Sequence, residues 1–130
     1  MADKKFAKAE MVEGRPVITI DDHTIPLSDG EPTPVDMLLA SLGGCAALTL
    51  QAIMEKKRME VESIVVEVEG TYTEDRPRRL ELMELTFKVK SPGLDQEELD
   101  STLELSERYC PVHQTLSGGT EIVSVGQVVS

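Results

Sequence analysis

At 130 residues and 14.3 kDa the chain is sized for one core, read as a single domain over residues 1–130, and its 40% apolar content fills that core without disulfide or metal staples. Thirteen Lys and Arg against twenty-four Asp and Glu leave a formal charge of −11, which repels phosphate backbones and anionic headgroups; with no Trp, two Tyr and two Phe, bases also find little to stack on. Nucleic acid and membrane are therefore excluded as partners.

The start, Met1 to Phe6, lacks an apolar segment, and the least charged stretch, Met37 to Met54, is diluted by Gly, Ala, Ser and Gln51. Neither a signal peptide nor a membrane span is expected. A cytoplasmic location follows as the expectation, with the two cysteines as reduced thiols.

From Phe6 to Leu27 short β-like pieces, among them Pro16–Ile20 and His23–Leu27, predict an antiparallel meander, and Ser28 to Thr33 reads as a turn. Thr33 followed by Pro34 supplies an N-cap hydroxyl and a proline at the first helical position, so a helix starts there. Its apolar residues Val35, Leu38, Leu39, Leu42, Cys45, Ala46 and Ile53 recur at helical spacing to about Arg58. Met37, Ala40, Leu48 and Leu50 make the other side nearly as apolar, which predicts burial on most of the circumference.

Two long strands follow. Ile64, Val66 and Val68 alternate with Glu67 and Glu69, and in the second strand the parity shifts between Leu82 and Met83, predicting a bulge near Met83. Asp95 with Glu98 makes a capping-box-like start, stapled by Leu94 and Leu99, for a helix whose inner stripe is Leu99, Thr102, Leu103 and Ser106. Pro111 ends it near Cys110. A short turn with Val112 and His113 leads to a last strand, Glu121 to Val129.

Four residues carry potential chemistry. Cys45 lies inside the apolar helix after Gly43-Gly44, and each glycine costs a helix about 1 kcal/mol against alanine. Close packing of another backbone, or room for a ligand beside the sulfur, would account for that cost; a small buried hydrophobe is the plain alternative. A nucleophilic Cys45 needs a nearby positive group, because the helix dipole fades within the first turn; Arg15 is the one arginine before the helix. Asp36, in the first helical turn, suits the dipole and could also anchor such an arginine.

Cys110 opens Cys-Pro-Val-His113, 65 positions after Cys45. A Cys-x-x-His metal half-site finds no matching second half, so no metal is expected; His113 as base for a cysteine has no identifiable third residue to orient it.

Thr33-Pro-Val-Asp-Met-Leu-Leu39 leading into Gly43-Gly-Cys45, the charged hairpin, Gly93-Leu-Asp95 and Cys110-Pro-Val-His113 together resemble the OsmC/Ohr family, the osmotically inducible and organic hydroperoxide resistance proteins. The resemblance implies an α+β fold with antiparallel sheets around a long buried central helix, in an intertwined homodimer. It implies a cofactor-free thiol peroxidase in which Cys45 is the peroxidatic and Cys110 the resolving cysteine. Arg15 would be the clamp arginine, with Asp36 holding it in place of the family's glutamate, whose position is Val35 here.

The substrate would be a small hydroperoxide, organic in preference to hydrogen peroxide, and the reductant an external thiol. Leu38, Leu42, Leu48 and Met54 are candidate apolar walls. The alternative is a non-enzymatic dimeric module that binds a small apolar ligand, its cysteines structural or redox-sensing.

Overall fold

In the computed structural model, which describes residues 3–27, 30 and 32–130, the N-terminal strands turn on left-handed backbone. Glu13 and Gly14, at φ 51° and 83°, form the two-residue loop between β1 (Lys8–Val12) and β2 (Arg15–Ile20), pairing Val12 with Arg15. Asp21, at φ 55°, starts the next turn into β3 (His23–Pro26). The three strands form an antiparallel sheet in chain order, as the meander predicts. Every residue of β1 is exposed, including Met11 at 68%. The turn expected over Ser28–Thr33 rests largely on Ser28, Asp29 and Glu31, which lie outside the described residues.

Helix α1 (Pro34–Lys56) starts where Thr33-Pro34 predicts. The Asp36 amide donates to Thr33 Oγ1 at 3.1 Å, while the Thr33 amide donates to Asp36 Oδ2 at 3.0 Å. This reciprocal box satisfies two donors at the helix entry. Those bonds to Thr33 hold the Asp36 carboxyl below its ordinary pKa of 3.8. The stabilisation is therefore full above that pH and is lost as pH falls through the lowered value.

Two compact units divide the chain, one ending at Leu38 and the other running from Leu39 to Ser130. In the second, β4 (Ser63–Tyr72), β5 (Leu80–Lys90) and β6 (Glu121–Val128) form a sheet with β5 in the middle. Alternation along β5 buries Met83, Leu85, Phe87 and Val89 on one face. Opposite them in register stand Gly70, Val68, Val66 and Ile64 of β4. The predicted bulge falls two residues early: Thr71 pairs with Leu82 and Tyr72 with Leu80, leaving Glu81 as the extra residue.

One expectation is corrected in this sheet. β6 runs parallel to β5, with Met83 level with Ile122 and Val89 with Val128. A parallel neighbour requires a crossover, and α2 (Gln96–Tyr109) with α3 (Pro111–Leu116) supplies it. Asp95 Oδ1 caps α2 by accepting from the Glu98 amide at 2.8 Å, as the sequence predicts. The turn expected at Val112 and His113 is instead the helix α3: Pro111 ends α2 yet is pre-shaped for the first position of the next helix.

The core lies between the sheet and one face each of α1 and α2. Leu42, Leu50 and Met54 of α1 and Leu99 and Thr102 of α2 are fully buried. A Cβ at Gly43 would stand 3.0 Å from Val68 Cγ2, so the glycine makes room for a β4 side chain, not for the backbone whose approach was one of the two expected reasons. Gly126 does the same for α2 on β6, where a Cβ would meet Leu103 Cδ1 at 2.5 Å.

The opposite side of α1 departs from the expected burial all round: Leu48 is 74% exposed. By length and apolar composition alone the helix would also pass for a membrane span; its buried residues Leu42, Gly43, Ala46, Leu50 and Met54 lie in the core.

Candidate functional site

Cys45 is half-buried on α1, on the turn after Gly43-Gly44. Thr49, one turn on, donates its hydroxyl to the Cys45 carbonyl at 2.8 Å. Among the described residues nothing stands within 4 Å of where a Cβ at Gly44 would be, so the helix surface is open at the residue before the thiol.

Cys110 occupies the joint between α2 and α3 in extended conformation and is 1% exposed. Both cysteines are free thiols. Although 65 positions separate them, the fold brings Cys45 beside Cys110, near enough to act on its ionisation as a hydrogen-bonding neighbour and as a like charge. Burial is the largest influence on the Cys110 thiol and pushes it up. The His113 amide draws it down, Cys45 raises it again, and the Val112 amide lowers it; the outcome is a thiol above its ordinary pKa of 9.0.

That shift has a stability consequence. Between the ordinary value of 9.0 and the raised one, the unfolded chain holds fewer thiol protons than the folded chain, so stability falls with rising pH across that window. Denaturant unfolding followed against pH is expected to show this alkaline slope. Cys110→Ala should flatten it, and an unchanged slope would refute the assignment.

The other predicted residues are placed as follows. Arg15 is exposed at the first position of β2, in the N-terminal unit, and makes no ion pair with Asp36 among the described residues. Asp36 is exposed and engaged with Thr33. Of the candidate walls, Leu42 and Met54 are core residues, Leu38 is 37% exposed in the N-terminal unit, and Leu48 lines a groove of about 690 Å³ between α1 and α2.

That groove also includes Thr49, Ala52, Ile53, Leu105 and Tyr109, with Lys56 and Lys57 at the end of α1. It begins one helical turn from Cys45 on one side and one residue from Cys110 on the other. The spacing of 48, 49, 52, 53 and 56 marks its α1 wall as one stripe, a signal present in the sequence. The α2 wall has no such local mark.

Sequence reasoning also left the role of His113 open. Its main-chain amide lowers the Cys110 thiol pKa, while among the described residues its two buried ring nitrogens have no hydrogen-bond partner. An unsatisfied buried polar group costs about 1–3 kcal/mol. Among the described residues no three of His, Cys, Asp and Glu gather as a metal ion would require.

Residues 27–124 match the family model described as OsmC-like protein. Protein YhfA of Escherichia coli K12 is 30% identical over 95% of this chain and 98% of its own length. A hydroperoxide reductase of Mycoplasma genitalium is 26% identical over 78% of this chain and 72% of its own. The crystal structure of an OsmC-like protein from Mycoplasma pneumoniae superposes with a TM-score of 0.90 at 20% identity, covering 100% of both chains. With its mixed sheet backed by helices, its paired cysteines and a family match over most of its length, the chain belongs to the OsmC-like protein family.

Proposed function

We propose that the protein is a thiol-dependent peroxidase that reduces organic hydroperoxides. The observation that carries this reading is the meeting of two free thiols from distant parts of the chain, one half-buried and the other buried, each next in its helix to residues that line an apolar groove. The Cys45 thiolate attacks the distal peroxide oxygen, an alcohol leaves, and Cys45 becomes a sulfenic acid. Cys110 then displaces the sulfenic oxygen as water, forming a disulfide that an external dithiol reduces. The half-buried position of Cys45 and the apolar groove favour organic substrates over hydrogen peroxide, and the similarity to a hydroperoxide reductase supports the same chemistry.

In this reading Arg15 supplies the fixed positive charge that favours the thiolate and the developing peroxide anion, with Asp36 orienting it. A homodimer assembles the site, in the reducing environment of the cytoplasm. Support for the dimer comes from apolar surface that one chain leaves uncovered: Leu48 on α1 and Met11 on the fully exposed β1. Sedimentation equilibrium is expected to give twice the mass of the chain; a single-chain mass would remove this part of the reading.

The test of the chemistry uses reduced protein and one equivalent of cumene hydroperoxide. Mass spectrometry is expected to show loss of two hydrogen atoms per chain and a peptide bridge joining Cys45 to Cys110. An unchanged mass, with the peroxide intact, would instead favour an apolar-ligand module whose occupant lies in the groove.

A further inference from the structure

The peroxidase cycle proposed above leaves one group at the site without a task. His113 is the third residue of α3 counted from Pro111, on the turn that Cys110 opens, and among the described residues neither of its buried imidazole nitrogens has a hydrogen-bond partner. A neutral imidazole offers one donor and one acceptor, and folded proteins rarely bury both idle. Thiols are weak partners for either. A sulfenic acid is a better one, and its oxygen appears on Cys45, beside Cys110, once the peroxide is cleaved. As cap residue and third residue of α3, Cys110 and His113 share one turn, with Cβ atoms about 5–6 Å apart in such a pair, a separation that one water can bridge.

We infer that His113 is the proton-transfer residue of the disulfide-forming step. The inference rests on the peroxidase reading. As the Cys110 sulfur attacks the Cys45 sulfur, the acceptor nitrogen of His113 takes the Cys110 thiol proton. The donor nitrogen gives its own proton to the departing sulfenic hydroxyl. One S–S bond forms and one S–O bond breaks, water leaves, and the imidazole ends neutral as its other tautomer. The hydroperoxide is the only oxidant the sequence of steps consumes.

A buried Cys110 needs such help. Burial holds its thiol protonated near neutrality, so the proton has to leave during the attack and not before it. Peroxide cleavage at Cys45 comes first and does not involve the Cys110 proton. His113 therefore acts after peroxide cleavage, and its removal should separate the two steps kinetically.

The test compares wild type, His113→Phe and His113→Gln after rapid mixing with one equivalent of cumene hydroperoxide, with dimedone to trap sulfenic acid. Peroxide consumption in the first turnover is expected to stay within about twofold of wild type. Disulfide closure in His113→Phe is expected to slow about a hundredfold, the scale of general acid–base catalysis, so the dimedone adduct accumulates. His113→Gln keeps a donor and an acceptor but cannot carry the proton, so it should be slow as well; should the Phe variant not fold, this one decides. Wild-type closure in either variant overturns the inference. Failure of the wild-type protein to oxidise at all would instead defeat the peroxidase reading, and the inference with it.

Discussion

Replacing Cys45 with serine is expected to reduce cumene hydroperoxide turnover to the uncatalysed background, a loss on the order of a thousandfold or more, as when a nucleophile is removed. Serine keeps the volume, and the position is half-buried on a helix whose core residues lie on another face, so the fold should survive. The hydroxyl, however, is a poor nucleophile towards peroxide oxygen and has no sulfenic state to pass on. Cys110→Ser provides the internal contrast. It should cleave one equivalent of peroxide per chain and then stall with an oxidised Cys45, because only the second sulfur is missing. A coupled peroxide assay with excess dithiol reads both variants; turnover in Cys45→Ser at the wild-type rate would eliminate the enzyme.

A second large effect concerns the scaffold. Phe87 is 2% exposed at the centre of β5, level with Val66 on one neighbour and Gly126 on the other. Truncation to alanine removes the largest of the fully buried side chains and is expected to cost about 3–5 kcal/mol. For a domain of this size the thermal midpoint should fall by roughly 10–25 °C, measurable by calorimetry. The next residue is the control. Lys88 projects to the other face and pairs with Glu67 at 2.9 Å, an exposed ion pair worth about 0–1 kcal/mol, so Lys88→Ala should barely move the midpoint. Equal effects at the two positions would contradict the strand parity.

How much of this was readable from the residues depends on the range of the interaction. Local chemistry was legible: Thr33-Pro34 and Asp95 mark helix starts, and strand alternation names the buried face of β5. Each needs only neighbours within a few positions. The direction of β6 was not legible, because an alternating strand carries no mark of which partner it pairs with or which way it runs; the crossover through α2 and α3 decides that. Helix α3 was missed because six residues after a proline are too short for a periodic pattern.

The site shows the same division. Cys45 and Cys110 stand out by type and motif, but their meeting depends on α1 and the α2–α3 joint converging, which spacing alone does not encode. Asp36 was legible as a residue of the first turn, and the box with Thr33 shows what that turn uses it for. The α1 wall of the groove could have been traced as a stripe of 48, 49, 52, 53 and 56, whereas Leu105 and Tyr109 join it only through tertiary packing.

The 65 positions between the paired sulfurs also have a thermodynamic meaning. A covalent tether across a loop of that length removes conformational freedom from the denatured chain, worth roughly 4 kcal/mol in the loop-entropy model. Oxidised molecules would therefore resist unfolding more than reduced ones. By the same coupling, whatever agent cuts the tether works against the folding free energy of the whole domain as well as against the bond.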